Sequence, residues 1–353
     1  MFIVNKVIFI LNIVVAALLL CSYLAPSVSP QSFLPLSFLG LSYFILLIVN
    51  FCFAFYWLLR AKLWVFISLG VVFLGLPYTG RYFQLSGEYK PAGKETLKII
   101  SCNIQNFDER HKSGNPYNEL FTYLKGEKPD VICFQEFNRH VNITNKTTTY
   151  DELKTAVGKK FYYVSMDSGK NDLTIASPHK IIKHKSISFA KFKSSNGALW
   201  ADIVINKDTF RVFNIHLQSF LLTKIKLDNG FDDKDKAVEN SKNILRRLKN
   251  GFVHRAPQVD SLVKEIEACP HKVILCGDFN DTPMSYTYGE FTGLLNDAFV
   301  ECGAGMGATY TGPYPSYRID YIMHDKKLKS YNYKRGESYG SDHRLIQVEL
   351  ANN

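Results

Sequence analysis

The first 80 residues contain no Asp or Glu, and their only charged side chains are Lys6, Arg60 and Lys62. Apolar runs occupy residues 7–24, 33–59 and 63–77, separated by a Pro/Ser turn around Pro26 and Pro30 and by Arg60-Ala-Lys62. A helix that crosses a bilayer takes about 20 apolar residues, so the first two runs are long enough and the third becomes so only when extended to Tyr82. A cleavable signal peptide would account for the first run alone, but a longer run follows directly and no small-x-small cleavage site precedes it. Residues 1–82 are therefore expected to form a membrane anchor of about three transmembrane helices, with the lipid bilayer as partner. Residues 83–95 read as a linker and residues 96–353 as one large domain. Lys6 and the Arg60/Lys62 turn fall on one side of such an anchor. The positive-inside tendency then puts the N-terminus in the cytoplasm and, with three spans, the large domain of this integral membrane protein on the non-cytoplasmic side. Two spans would reverse that placement.

Of 42 basic and 32 acidic residues, all but the three named basic ones lie beyond residue 80, which leaves the large domain near +7. That balance favours polyanionic partners, nucleic acid or anionic headgroups, without choosing between them. The seven cysteines include no Cys-x-x-Cys pair, which argues against a zinc site.

Beyond the linker, short apolar runs suited to strands recur at residues 97–103, 131–135, 162–165, 173–177, 181–189, 199–205, 210–217, 273–276, 319–323 and 345–350. Helical patterns occur near 118–126 and 258–268, and a Lys/Asn-rich segment at 223–250 interrupts the series. Many strands with few helices predict an α+β sandwich, two sheets sharing a core with helices on the outside.

Several of these strands end in polar groups. Val273-Ile-Leu-Cys-Gly-Asp-Phe-Asn-Asp-Thr-Pro283 delivers Asp278 and Asn280 to one face, because alternate residues of a strand project to the same side. Lys98-Ile-Ile-Ser-Cys-Asn103 ends in an amide, Asp130-Val-Ile-Cys-Phe-Gln-Glu136 in a carboxylate, and Arg211-Val-Phe-Asn-Ile-His216 in an imidazole. Arg318-Ile-Asp320-Tyr-Ile carries a carboxylate inside an apolar strand, and Gly340-Ser-Asp342-His343 opens the last one. Singly, each has a plain explanation: an Asx turn, a solvated acid, a satisfied histidine. Asp320 is harder to dismiss, because a carboxylate among Ile and Tyr needs a partner.

Together, and in this order, the six motifs resemble the endonuclease/exonuclease/phosphatase superfamily over residues 97–350. The resemblance implies a four-layer α/β/β/α sandwich of deoxyribonuclease I type, here preceded by transmembrane helices, and a divalent-metal-dependent phosphoesterase. A hard cation such as Mg2+, with Mn2+ as the other candidate, takes carboxylate and amide oxygens and neutralises phosphate charge. On the family's pattern Glu136 would be the principal metal ligand, with Asn103 and Asp342 beside it. Asp278 would position or deprotonate the attacking water, and Asn280 would donate to the phosphate. His343, oriented by Asp320, would contact the scissile phosphate. His216 would stabilise the developing charge or protonate the leaving oxygen.

Substrate is less sharply marked. The inositol polyphosphate phosphatase pattern, a Trp before Gly-Asp and Cys-Asp-Arg in place of Arg318-Ile-Asp320, is absent. Abasic-site enzymes carry an acid where Gln105 stands here. His216 in Asn-Ile-His-Leu-Gln is similar to the sphingomyelinase and deoxyribonuclease branches, and the stretch around Asp278 to the deadenylase form. The expectation is a nuclease-type phosphodiesterase acting on nucleic acid, with a sphingomyelinase-like hydrolase of phospholipid headgroups as the alternative. A catalytically silent, membrane-tethered binding module is a third reading. Tyr310, Tyr314, Tyr317 and Trp200 are candidates for stacking on bases, each with ordinary packing as its rival. No protein partner is implied.

Overall fold

A computed structural model describes residues 2–90, 93–105, 116–137, 149–158, 162–166, 173–192, 196–221, 234–312 and 315–353. The chain opens with helices α1 (Phe2–Ser22), α2 (Pro35–Leu41), α3 (Tyr43–Leu59), α4 (Val65–Leu74) and α5 (Leu76–Thr79). After them come β1 (Phe83–Gln84), β2 (Leu97–Asn103), α6 (Pro116–Glu127), β3 (Val131–Gln135), α7 (Thr149–Val157), β4 (Tyr162–Met166), β5 (Leu173–Ser177) and β6 (Lys180–Ser188). The remainder is β7 (Gly197–Ile205), β8 (Asp208–His216), α8 (Lys234–Glu267), β9 (Lys272–Asp278), α9 (Tyr286–Leu294), β10 (Leu295–Asp297), α10 (Ala298–Cys302), β11 (Gly305–Met306), β12 (Asp320–Asp325), β13 (Leu328–Arg335) and β14 (Ile346–Asn352).

Two six-stranded sheets, ordered β10-β12-β9-β8-β7-β6 and β13-β14-β2-β3-β5-β4, share one apolar interlayer that includes Ile99, Cys133, Val212, Ile274 and Ile322. Helices α8 and α9 cover the outer face of the first sheet, with Val259, Leu262 and Phe291 against Phe213 and Leu275. Helices α6 and α7 cover the second, with Leu120, Leu124 and Leu153 against Ile100 and Ile132. The central strands are buried on both faces, which is why they read as unbroken apolar runs and not as alternating ones. Near the centre of each sheet lies a parallel pair, β8 with β9 and β2 with β3. Parallel strands end on the same side, so their polar C-terminal tips share one rim.

The N-terminal helices depart from the expectation of three spans. Among the described residues one helix, within residues 3–27, is long and apolar enough to cross a membrane. The second apolar run breaks into α2 and α3, bent by 66°, so it counts as a span only if the pair is taken as one. The third yields α4, a helix of 10 residues, too short by this measure. Helices α1, α3 and α4 nevertheless pack together around polar side chains. Buried Asn12 donates to Ser68 Oγ at 2.7 Å and accepts from Trp57 Nε1 at 2.9 Å. Outward, Ile10, Val14, Ile45, Ile48, Phe55, Phe66 and Phe73 are exposed.

The expected linker is docked on the domain. β1 pairs antiparallel with β11, and Asn332 N donates to the Glu88 carbonyl at 2.9 Å. The Lys/Asn-rich interruption is also shorter than expected, since its described part belongs to α8, a helix of 34 residues that includes Pro257. Phe252, Arg255, Val259, Leu262 and Ile266 recur at helical spacing along its buried face, so tertiary packing carries the helix through its proline. Residues 223–233 and Tyr314 lie outside the described residues.

Candidate active site

In the first sheet, strand register brings three functional groups into one lateral row. β8–β9 pairing sets His216 opposite Asp278, and β9–β12 pairing sets Asp278 opposite Asp320. Gly277 permits this arrangement: its φ is 141°, and a Cβ there would run into the Ile215 backbone. In the second sheet, Asn103 ends β2 and Glu136 follows the last residue of β3. The Ser341-Asp342-His343 segment reaches the same rim because Ser341 Oγ donates to the Asn103 carbonyl at 2.7 Å and accepts from His343 N at 3.0 Å.

The eight residues singled out in the sequence converge. Asn103 Nδ2 lies 3.1 Å from Asp278 Oδ2 and 3.4 Å from Glu136 Oε1, so one amide bridges the two sheets. His216 Nε2 is 3.6 Å from Asp278 Oδ2 and 3.8 Å from Glu136 Oε1. His343 Nε2 is 3.8 Å from Asp278 Oδ2 and 3.7 Å from Asp342 Oδ1, while its Nδ1 is 2.9 Å from Asp320 Oδ2. Asn280 N donates to Asp278 Oδ1 at 2.8 Å, and its Nδ2 donates to the Leu217 carbonyl at 3.1 Å. Three non-glycine residues at this rim have positive φ: Gln105 at 46°, Glu136 at 56° and Asn280 at 52°. Such conformations persist where the surroundings over-determine them, and they gather at functional sites.

Burial sets the protonation pattern. It lifts the Asp278 carboxyl to about 6, with His343 opposing and Asp320 adding to the rise. Burial also raises Glu136, again against the pull of His343. For His343, burial alone would lower the pKa, but the Asp320 carboxylate, then Asp278, carries it to about 10. His216 moves the other way, lowered by burial, and its Nδ1 has no hydrogen-bond partner among the described residues. One ring is therefore a cation at neutral pH and its neighbour is neutral.

A divalent cation fits this donor set. The Glu136 carboxylate, joined to Asp278 through Asn103, offers a hard oxygen donor, and the Asp278 and Asp320 carboxylate oxygens lie within 4.8 Å of each other, with the cationic His343 beside them as an ion-pair partner and not as a ligand. Closely spaced buried carboxylates repel one another, and a cation between them relieves both the repulsion and the desolvation.

Some supporting residues carried no clear mark in the sequence. Gln135 Nε2 donates to Asn214 Oδ1 at 2.6 Å, and Asn214 Nδ2 donates to the Phe134 carbonyl at 2.7 Å, so a buried amide pair locks the sheets beneath the rim. Both sit next to motif residues, and a polar amide inside an apolar strand was the available signal. Of the aromatic candidates, Tyr310 reaches the site, its ring centre 5.5 Å from that of His343. Trp200 does not: it is buried, with the Arg211 guanidinium 3.7 Å from its ring centre.

Residues 100–343 match the Endonuclease/Exonuclease/phosphatase family, and residues 5–82 match a domain of unknown function. No curated protein sequence matches the chain. Among solved structures, D. rerio TDP2 complexed with a single-strand DNA product is similar at 18% identity and a TM-score of 0.52, covering 72% of this chain and 99% of its own. The human Nocturnin catalytic domain with bound sulfate is similar at 14% identity and a TM-score of 0.52, over 73% of this chain and 95% of its own. An endonuclease/exonuclease/phosphatase from Beutenbergia cavernae is similar at 15% identity and a TM-score of 0.51, over 74% of this chain and 72% of its own. At these identities the likeness is one of fold. The family match and the convergent rim together make this chain a metal-dependent hydrolase of phosphate esters that belongs to the endonuclease/exonuclease/phosphatase family.

Proposed function

We propose that the chain is a membrane-anchored, Mg2+-dependent phosphodiesterase of nuclease type. The observation that carries this reading is the convergence of His216, Asp278 and the Asp320-paired His343 with Asn103 and Glu136 at one rim. Glu136, Asn103 and Asp342 would hold the cation, which when bound neutralises charge on the phosphate oxygens. Asp278, with a pKa lifted towards neutrality, accepts a proton from the attacking water. His343 keeps Nδ1–H on Asp320 and turns Nε2–H towards the phosphate. His216, neutral, donates a hydrogen bond to the oxygen on which charge develops. Asn280 spends one amide hydrogen on Leu217 and keeps the other for a phosphate oxygen.

Nucleic acid is supported as substrate by the basic charge of the domain, by Tyr310 beside His343, and by the DNA product bound to D. rerio TDP2. A phospholipid headgroup is the second reading, favoured by the N-terminal helices. Their interior holds Asn12, Asn50 and Ser68 while large apolar side chains face outward, the reverse of a bundle built for water. In this reading residues 1–82 are the anchor and residues 96–353 the catalytic domain. Lys6 and Arg60/Lys62 lie at the cytoplasmic end, and the catalytic domain is on the non-cytoplasmic side. Purified full-length protein with Mg2+ should cleave single-stranded DNA or RNA. Turnover of sphingomyelin alone would move the assignment to the headgroup reading, and no turnover of any phosphodiester would overturn both.

A further inference from the structure

Residues 281–289, which carry the chain from the Asp278-Phe-Asn280 tip into α9, are enclosed between the sandwich and the N-terminal helices. On the sandwich side the Asp281 carboxylate accepts from Arg255 Nε and Thr287 Oγ1, each at 3.0 Å, and its carbonyl accepts from the Tyr321 hydroxyl at 2.9 Å. On the opposite side Arg81 Nη1 donates to the Pro283 carbonyl at 3.0 Å, and the Arg81 guanidinium lies 5.0 Å from the Tyr288 ring centre. Met284 is fully buried in a cluster with Ala16, Leu19, Tyr43 and Leu47 of the N-terminal helices, not in the sandwich core. Two glycines set how close the bodies come. A Cβ on Gly40 of α2 would collide with the Met284 carbonyl oxygen, and one on Gly289 of α9 with the Pro26 carbonyl oxygen. The contact is backbone against backbone, at the segment that leaves the catalytic tip.

We propose that the N-terminal helices are a positioning part of the active site: through Gly40, Arg81 and Met284 they hold residues 281–284, and with them Asp278 and Asn280, in reactive geometry. The proposal rests on the roles assigned above to Asp278 and Asn280. Asn280 is placed by a backbone in the left-handed region and by bonds to Asp278 and Leu217, so a shift of residues 281–284 passes directly to the tip. A displacement of about 1 Å at a reacting group costs up to about 10²-fold in rate. Hence the docking of the helices is read out as turnover and not only as location.

Matched glycine substitutions test this in the full-length protein. Gly40→Ala and Gly289→Ala each add a methyl at the seam, whereas Gly70→Ala on α4 and Gly293→Ala on α9 add one where nothing lies within 4 Å. With bis(4-nitrophenyl) phosphate and Mg2+, the seam variants should lose about 10-fold or more in kcat with KM within about threefold, and the controls should stay within about twofold. Hydrogen exchange at residues 279–284 should quicken in the seam variants alone, a readout that needs no substrate. Arg81→Ala should lower kcat in the same way and Arg81→Lys should partly restore it. Should Gly40→Ala and Gly289→Ala fail to fold, the Arg81 pair decides. Unchanged kcat and exchange in the seam variants, or in Arg81→Ala, would overturn the proposal. Loss of turnover in Asp278→Ala beside an active Gly40→Ala would sink the clamp and leave the catalytic assignment standing.

Discussion

His343 Nδ1 stands 2.9 Å from Asp320 Oδ2 and 3.1 Å from Oδ1, with both residues buried, so the carboxylate fixes both the tautomer and the charge of the ring. Asp320→Asn should lower kcat by about 10²-fold or more, as removal of a group that orients a catalytic imidazole does. The pKa of His343 is carried to about 10 in the folded protein, above its ordinary value of 6.5. Its protonation therefore stabilises the fold fully below about pH 6.5, and that contribution is lost as pH rises through about 10. Following the imidazole resonances of His343 by NMR should show titration near 10 in the wild type and near neutrality in Asp320→Asn. A ring that titrates near neutrality in both would refute the pairing.

Metal affinity should fall with pH. Burial raises the carboxyl of Glu136, the proposed principal ligand, so at acid pH a cation must displace its proton to bind. Calorimetry with Mg2+ at pH 5.5 in buffers of different ionisation enthalpy should record proton release, and little should remain at pH 8. Glu136→Gln should weaken binding by at least about 10-fold. In the metal-free protein the sign is the reverse of an ordinary salt-bridged acid. Asp278 contributes stability below about pH 3.8 and loses it as pH rises through about 6.

Gly277 is the point where the β9 backbone bends past Ile215. Its φ of 141° is barred to residues with a side chain, and the added methyl would strike the Ile215 backbone. Gly277→Ala should destabilise the domain by about 3 kcal/mol or more, read by urea or thermal unfolding.

Asn12 ties α1 to α3 and α4 through Trp57 and Ser68. Asn12→Leu leaves both partners unpaired and should cost the helical assembly about 0.6–2 kcal/mol in detergent unfolding. The full-length protein should stay with the membrane fraction after alkaline carbonate washing, and release into the supernatant would contradict the anchor.

The polar residues at the strand tips were legible in the sequence because they sit at the C-terminal ends of apolar runs, a covalent spacing that survives whatever the chain folds into. The same locality made the sandwich class readable, since strand length and two-faced apolarity are properties of each run by itself. Tertiary structure alone decided what depends on partners distant in the chain. Register set His216 and Asp320 on either side of Asp278, and a crossing amide from Asn103 joined the two sheets. Packing on the sandwich ran α8 through Pro257, and the second apolar run folded into a pair of helices bent by 66°. Close approach at Gly40 and Gly289 turned an expected tether into a docked body, since van der Waals contact between backbones is set by the shapes of two assembled surfaces and leaves in either segment only a glycine.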